Sequence, residues 1–194
     1  LNWEELSAAI AEEGSKRYIA MTCQTDDKTA ERAYLDFVET IEPQVKPHNF
    51  RLAKALADHP HRDGLPVERY EVFTRDTALE VELFRPENVP LETEATKLGQ
   101  QYQKLIGGLA VQFDGEEQTL VQMGRHLEET DRGRRQKAWE LVANRRLDEA
   151  ETIDTQLDDL AKRRNQMSAN AGFPNYRDFA HRRKARFDYT PNDC

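Results

Sequence analysis

Long apolar stretches are missing from this 194-residue sequence, and no charged-then-apolar leader precedes its first helical pattern. Only 38% of the residues are hydrophobic, and no apolar run approaches the roughly 18 residues that a membrane-spanning helix needs. The sequence therefore predicts a soluble protein that does not interact with a membrane. The first residue is Leu1 rather than Met, so we expect the natural N-terminus to lie upstream.

Cysteine is equally scarce. Cys23 and Cys194 are far apart in the chain, and neither has a second cysteine at a metal-binding spacing. This count argues against a disulfide-stabilised secreted domain and favours two reduced thiols. We therefore expect a cytoplasmic protein.

Positive charge is in the minority, since the net charge is -8. An acidic chain repels phosphate, so no nucleic-acid partner is expected. One segment carries the opposite charge, and its basic and aromatic residues are Arg182, Arg183, Lys184, Arg186, Phe187 and Tyr189. These residues could bind RNA by charge and stacking, with an affinity that falls steeply as salt rises. The acidic composition favours another interpretation, in which the cations pair with carboxylates of a neighbouring helix.

Catalytic motifs are also lacking. The sequence contains no His-Glu-x-x-His, no Gly-x-Ser-x-Gly, no Cys-His set and no phosphate-binding glycine loop. Its five histidines are His48, His59, His61, His126 and His181. His59 and His61 share a Pro/Gly loop in which only Asp58 and Asp63 could complete a metal site, which is too few strong ligands for a structural zinc.

The remaining polar candidates have simpler interpretations. His126-Leu-Glu128 resembles half of a zinc-deaminase motif, but Pro-Cys-x-x-Cys is absent, so a solvated helix face is expected. The acidic pairs Glu116-Glu117 and Asp158-Asp159 are expected on exposed helix faces. We expect no catalytic and no metal-binding residue in this chain, and the sequence assigns no substrate-binding residue.

Strong helix formers dominate the composition. The pattern predicts an all-α fold, an array of long antiparallel helices with one short β-hairpin or strand near residues 109–113. Asp114-Gly115 after this strand favours a tight turn. The predicted helices cover residues 3–22, 28–58, 67–84, 91–106, 119–129, 131–147 and 147–171, followed by one or two turns from residue 176. For residues 67–84 a strand is the competing prediction, because part of this segment alternates.

Helix boundaries follow from caps and helix breakers. Asn2 and the segment Thr25-Asp26-Asp27 are start signals, and Thr130 is expected to cap the helix that follows it. Pro43 and Pro47 predict a kink. Gly172 is expected to end the last long helix with a positive φ.

Two aromatic or apolar segments leave alternatives open. Tyr176 and Phe179 could line a groove, although core packing beside the Gly172 turn is favoured. The strand Leu109–Phe113 could bind an extended peptide along its edge, although a role as one arm of a hairpin is favoured.

Several segments occur in a characteristic order: Glu82–Leu91, Gly99–Gly107, Val111–Leu120, the residues Asp131, Arg132, Arg135, Ala138 and Trp139, and the tail Leu160–Pro191. Their order and spacing resemble the oligoendopeptidase F family of zinc metallopeptidases over nearly the full chain. The resemblance implies a mostly helical enzyme with an internal channel, in which a single zinc ion cleaves short unfolded peptides.

The resemblance also implies a division of labour. Residues 1–106 would form an N-terminal helical lobe, and residues 107–194 the short β element and the first helices of an incomplete peptidase lobe. Zinc would be the cofactor of the full-length enzyme, and its ligands would lie downstream of Cys194. Short peptides and the remainder of the peptidase domain would be the partners, and this chain alone would be inactive. The alternative is a stand-alone helical module that binds a peptide or protein without enzymatic activity.

Overall fold

A computed structural model describes residues 2–194. Within this range 74% of the chain is helical, and one antiparallel two-stranded sheet accounts for 4%. The predicted all-α fold with one short β-hairpin is therefore confirmed. Nowhere in residues 2–194 is a helix long and apolar enough to cross a membrane.

Eight α-helices and two strands make up the described part of the chain. The helices are α1 Trp3–Cys23, α2 Lys28–Asp36, α3 Glu42–Ala57, α4 Val67–Leu83, α5 Asn88–Gly107, α6 Arg132–Leu147, α7 Ala150–Asn170 and α8 Tyr176–Arg183. The strands are β1 Ala110–Phe113 and β2 Glu116–Thr119. Short helical turns of other types occupy Phe37–Ile41 (π), Arg62–Gly64 (3₁₀) and Gln122–Glu128 (3₁₀).

The chain forms two compact units, each made of two chain segments. Unit 1 consists of Leu1–Tyr34 and Lys97–Leu160, and unit 2 consists of Leu35–Thr96 and Ala161–Cys194. The two lobes that the resemblance implied, 1–106 and 107–194, stay a prediction.

The core of unit 1 lies between the hairpin, the 3₁₀ segment and α6. Phe113, Met123 and Ala138 are almost fully buried there, one from each of these elements. The hairpin turn needs two residues in the left-handed region, and Asp114 and Gly115 supply them with φ values of 53° and 86°. In the resulting register Phe113 pairs with Glu116, so the strand Leu109–Phe113 is one arm of a hairpin, as favoured.

The core of unit 2 is built by α4, the end of α7 and α8. Its buried residues are Leu79, Leu83, Met167, Ala171 and Phe179. Tyr176 packs against this cluster, and its ring centroid lies 6.0 Å from that of Phe179. The favoured prediction for these two aromatic residues, core packing beside the Gly172 turn, is therefore confirmed.

Helix α7 ends in a Schellman motif. Gly172 has a φ of 82°, its N–H donates to the Ala169 carbonyl, and the Phe173 N–H donates to the Ser168 carbonyl. The Asn170 carbonyl, which the helix leaves without an internal donor, accepts from Arg85 Nε at 3.1 Å. The predicted stop at Gly172 and its positive φ are confirmed.

Several predicted starts agree with the structure. Asn2 caps α1, and Glu5 completes a capping box with it. The Asp27 carboxylate accepts from the N–H groups of Thr29 and Ala30 at the start of α2. Residues 67–83 are helical, so the competing strand prediction for this segment is wrong.

Four boundaries differ from the sequence-based prediction. The helix predicted over residues 119–129 is shorter, because Thr119 ends strand β2 and accepts from the Gln122 N–H, and only Gln122–Glu128 is helical, as a 3₁₀ segment. Asp131, rather than Thr130, caps α6, because its carboxylate reaches the N–H groups of Gly133 and Arg134. Helix α5 begins at Asn88 rather than residue 91, since Pro90 fits within a first helical turn. Helix α7 begins at Ala150 rather than at residue 147. Basic residues such as Arg146 favour the end of α6, and the acidic residues that follow favour the start of α7, so the two helices are separate.

Pro43 is preceded by an irregular turn of helix. Pro43 has no N–H to donate four residues back, and its ring would crowd that carbonyl. The chain forms the π turn Phe37–Ile41 just before it, in which the Glu42 N–H donates to Phe37, five residues back. Pro47 lies within α3 itself. The kink predicted at Pro43 and Pro47 stays a prediction, and the departure from regular α-helix that the structure shows is the π turn ahead of Pro43.

Gly172→Ala should lower the free energy of unfolding by about 1 kcal/mol, because a β-carbon is strained at positive φ although the space around it is open. Gly99 in α5 is the matched control: its neighbourhood is equally open and its φ is helical, so Gly99→Ala should stabilise by up to about 1 kcal/mol. Urea denaturation measures both. Equal shifts in the two variants would contradict the assigned role of Gly172.

Asn88→Ala should lower the free energy of unfolding by about 1 to 3 kcal/mol. Asn88 is 4% exposed, its Nδ2 donates to the Met167 carbonyl at 3.0 Å, and its Oδ1 accepts from Asn170 Nδ2 at 2.8 Å. The substitution leaves the Asn170 amide without this partner in a partly buried site. Asn192→Ala, at an exposed position, is the control and should have no measurable effect in the same denaturation experiment.

Candidate functional site

The histidines do not assemble a metal centre. Across residues 2–194 there is no group of three or more His, Cys, Asp or Glu side chains placed to hold a metal ion. The rings of His59 and His61 are 5.6 Å apart, and both side chains are exposed. A protein zinc site needs three or four ligands. The residues that the structure describes therefore do not form a site for the zinc that the resemblance implies.

The expectation of a solvated His126 is wrong. This side chain is 8% exposed, and its ring lies 4.4 Å from the ring of Phe113. Nδ1 is 2.6 Å from Glu129 Oε1, and Nε2 is 2.9 Å from Gln118 Oε1. Hydrogen bonds on both ring nitrogens offset the cost of burying the imidazole between the hairpin and the 3₁₀ segment.

The same hydrogen-bond network continues into α6. Arg134 Nε lies 2.5 Å from Glu129 Oε2, and Arg134 Nη2 lies 2.6 Å from Asp114 Oδ2. The hydrogen bond from Arg134, followed by the one from His126, lowers the pKa of Glu129. The cluster links the hairpin turn, the 3₁₀ segment and the first turn of α6, so its role is to fasten these elements. Sequence reasoning missed it, although His126 and Glu129 are spaced i, i+3.

A cleft of about 270 Å³ lies in unit 1 between α1, α2 and α5. Glu31 and Lys104 face it, and Lys104 Nζ lies 2.6 Å from both carboxylate oxygens. Gln100, which is 6% exposed, donates to Glu31 Oε1 at 3.2 Å. The hydrogen bond to Lys104 lowers the pKa of Glu31, and the same bond raises the pKa of Lys104. Each group thus stabilises the charged form of the other, which suits a structural ion pair and not proton transfer.

One carboxyl group in unit 2 has the opposite tendency. Burial raises the pKa of Glu42, Lys46 opposes this effect, and Glu92 adds to it. Lys46 Nζ itself lies 2.6 Å from Glu92 Oε2. A raised carboxyl pKa suits a general acid, but no group of potential metal ligands lies beside Glu42 in the part of the chain that the structure describes. Sequence reasoning missed Glu42, because only the fold buries it.

Two cations of the basic segment of residues 182–189, Arg182 and Arg183, pair with acidic side chains within unit 2, as the favoured interpretation predicted. Arg182 donates to Glu82 through Nη2 at 2.7 Å and Nε at 3.2 Å, and this bidentate contact lowers the pKa of Glu82. Arg183 lies 3.6 Å from Glu92. The Phe187 ring lies 4.1 Å from the Arg75 guanidinium and 5.0 Å from that of Arg182.

The remaining candidates lie on the surface. Glu116 and Glu117 are exposed, but on strand β2 and not on a helix face as expected, whereas Asp158 is exposed on α7 as expected. Asp159 is partly buried on the same helix. Cys23 and Cys194 are both free and exposed. None of these residues lines the cleft in unit 1.

Comparisons with known proteins agree with the predicted resemblance. Residues 1–84 match the family model described as the Peptidase M3 N-terminal domain. A crystal structure of a Bacillus anthracis str. Ames protein assigned as an oligoendopeptidase F is 25% identical, with a TM-score of 0.84 over 91% of this chain and 32% of that one. A second structure assigned as oligoendopeptidase F is 28% identical, with a TM-score of 0.84 over 91% of this chain and 31% of that one.

A third solved structure, PZ peptidase A with an inhibitor, shares the fold at 24% identity, with a TM-score of 0.83 over 98% of this chain and 39% of that one. No curated protein sequence matches this chain. The chain spans about a third of the length of the solved structures it matches. Its resemblance to the N-terminal portion of the oligoendopeptidase F family, within the M3 peptidases, is thereby confirmed.

Proposed function

We propose that this chain is the N-terminal part of a zinc-dependent oligoendopeptidase that hydrolyses short unfolded peptides. The match of residues 1–84 to the Peptidase M3 N-terminal domain carries the proposal. In this role the helices wall the substrate channel and restrict entry to extended peptides. They contribute no catalytic residue.

The chemistry of the charged clusters supports a scaffolding role. Glu31, Glu82 and Glu129 each have a cation within hydrogen-bond distance that keeps the carboxylate ionised. A general base or acid works best when its pKa lies near the working pH. Ion pairing lowers the pKa values of these three carboxyl groups and so takes them further from that pH. These side chains therefore hold elements together, and the proposal assigns hydrolysis to other residues of the parent enzyme.

Zinc is the proposed cofactor of the whole enzyme, where it would activate water and polarise the scissile carbonyl. No residue of this chain is assigned to hold it. The proposed partners are short peptides and the remainder of the peptidase domain. We also propose a cytoplasmic location, where the exposed Cys23 and Cys194 would stay reduced.

The open reading frame beyond residue 194 provides the first test. We expect it to encode a His-Glu-x-x-His segment, and the longer product to cleave a quenched fluorescent oligopeptide. A chelator should abolish this cleavage and added zinc should restore it. The 194-residue chain, assayed with the same peptide and zinc, should show no cleavage above buffer.

Two results would contradict the proposal. One is chelator-sensitive peptide cleavage by the 194-residue chain alone, because it would place a metal centre among these residues. The other is a reading frame without a metallopeptidase motif, which would favour the alternative of a helical binding module without activity. A longer product inactivated at its His-Glu-x-x-His glutamate is the control for contaminating peptidases.

The ion pair in the unit 1 cleft should act on stability. Glu31→Gln should lower the free energy of unfolding at pH 7 by about 1 kcal/mol, a value discounted for solvent screening. Because the folded state lowers the pKa of Glu31, wild type gains this stability above the unfolded pKa of about 4.3. The advantage is lost as pH falls through the lower folded pKa. Denaturation curves of both proteins between neutral and acidic pH measure this loss.

Glu12→Gln is the matched control for this experiment. The Glu12–Lys16 pair also has an N–O distance of 2.6 Å, but its side chains are 66% and 65% exposed. In Glu31 and Lys104 the corresponding fractions are 18% and 34%. Solvent screening should leave Glu12→Gln with almost no effect at any pH. If Glu31→Gln behaved in the same way, the pair would have no structural role.

A further inference from the structure

The register of the hairpin in unit 1 fixes which backbone groups of β1 point away from β2. The Leu120 N–H donates to the Leu109 carbonyl, so these two residues form a hydrogen-bonded pair. In antiparallel strands, hydrogen-bonded and non-hydrogen-bonded pairs alternate. Ala110 with Thr119 is therefore a non-hydrogen-bonded pair, and Gln112 follows the same rule two residues further on. The N–H and C=O groups of Ala110 and Gln112 consequently point outward, along the outer edge of β1.

These outward groups have no partner. Nowhere in residues 2–194 does another group form a hydrogen bond with the main chain of Ala110 or Gln112. Gln112 is exposed and Ala110 is partly buried, so the edge is open to solvent at least at Gln112. A row of unpaired N–H and C=O groups on an edge strand is a template on which another strand can form hydrogen bonds.

The outer edge of β2 is protected in two ways that β1 lacks. The Thr119 N–H, which points outward, donates to Gln122 Oε1 at 2.8 Å. Glu116 and Glu117 are charged and exposed on β2, and charged side chains hinder the pairing of an edge with another strand. Strand β1, with the sequence Ala-Val-Gln-Phe, contains neither a charge nor a proline. The hairpin therefore offers the edge of β1, and not that of β2, to an incoming strand.

The unpaired groups of β1 match the backbone of an extended peptide. Ala110 and Gln112 lie two residues apart, and the groups on one side of any extended strand repeat with this same period, about 6.8 Å. A peptide beside β1 can therefore exchange hydrogen bonds with both residues. A helix cannot do so, because its own backbone groups are already paired. The edge thus selects a peptide that is unfolded and extended.

We propose that the outer edge of β1 binds a short extended peptide by strand addition, which turns the hairpin into a three-stranded sheet. This contact rests on the proposed function for the class of its ligand, an unfolded peptide. Recognition through the main chain accepts peptides of many sequences. The net charge of -8 favours a neutral or basic peptide over an acidic one, and it opposes the pairing of β1 with the β1 of a second copy.

An edge with two unpaired residues binds weakly. Each hydrogen bond replaces one with water and gains little net free energy, so we expect a dissociation constant on the order of 1 mM. A contact of this strength holds a peptide in the extended conformation and releases it readily.

Nuclear magnetic resonance of the nitrogen-15-labelled 194-residue chain tests the proposal, with the soluble peptide acetyl-Lys-Val-Thr-Val-Lys-amide as the probe. At millimolar peptide, the amide protons of Ala110 and Gln112 should move downfield and exchange more slowly with solvent, because each gains an acceptor. The amide of Glu117, on the opposite edge, should change little. No cleavage is measured, so failure here is distinct from failure of the peptidase proposal, which is tested by cleavage with the longer product.

Substitutions at one cross-strand pair separate the two edges. Gln112→Pro removes an outward N–H that the hairpin does not use, so peptide affinity, followed at the Ala110 amide, should fall about tenfold or more. Glu117→Pro is the matched control, since Glu117 lies opposite Gln112 on β2, and peptide affinity should not change. Gln112→Ala keeps the backbone donor and acceptor and should bind as wild type does, which excludes a contact made through the Gln112 side chain.

Methylated peptides test the same contact from the side of the ligand. Successive N–H groups of an extended peptide point to opposite sides. Methylation of every second amide nitrogen leaves one side of the peptide free, so this peptide should still bind to the wild-type chain. Methylation of every amide nitrogen removes the donors from both sides and should abolish the shifts at Ala110 and Gln112.

Three outcomes would overturn the proposal. The amides of Ala110 and Gln112 could fail to shift at the highest peptide concentration. Binding could survive both Gln112→Pro and methylation of every amide nitrogen, which would place the peptide elsewhere. Shifts of these amides with protein concentration, in the absence of peptide, would identify a second copy as the occupant. Circular dichroism checks that each variant folds, and the methylated peptides test the contact with the wild-type chain if Gln112→Pro does not.

Discussion

The structure of unit 2 depends on how α7 ends. Gly172 takes a left-handed conformation that reverses the chain, and the reversal brings α8 back so that Phe179 is buried with Leu83. The last carbonyl groups of α7 would be costly to leave without donors. Arg85 and Asn88, at the connection between α4 and α5, donate to the carbonyls of Asn170 and Met167. The turn and the core therefore support each other.

Unit 1 depends on a different device. Its hairpin contributes only one strongly buried aromatic residue, Phe113, so apolar burial alone gives it little support. The polar network of Gln118, His126, Glu129 and Arg134 closes over this side chain and joins three elements. Buried polar groups stabilise only when their hydrogen bonds are satisfied, and here both nitrogens of His126 have partners.

The polar clusters in both units have a common character that bears on function. Acidic side chains outnumber basic ones, and cations hold two of the carboxylates that come close to a cleft or a core, since Lys104 holds Glu31 and Arg182 holds Glu82. Such carboxylates serve the structure. This agrees with the role proposed above, in which the helices form a wall of a peptidase whose reactive groups come from elsewhere.

Local patterns determined much of this fold. Helix periodicity, the caps at Asn2 and Asp27, the turn at Asp114-Gly115 and the stop at Gly172 depend on neighbours within a few residues, so the sequence was sufficient to predict them. The resemblance to oligoendopeptidase F rested on the same kind of information, the order and spacing of short segments. The cap of α6 was predicted one residue too early, because Thr130 and Asp131 could both accept from the helix start.

Only the tertiary structure decided which polar residues are buried and with whom. His126 was expected in solvent and is buried, because Phe113 and Gln118 approach it from the hairpin, and no local pattern gives the packing of the hairpin against the 3₁₀ segment. The raised pKa of Glu42 likewise follows from burial and from Glu92, which is distant in the sequence. Desolvation and pairing across long stretches of chain depend on how helices pack, and one sequence does not encode that packing in any local signal.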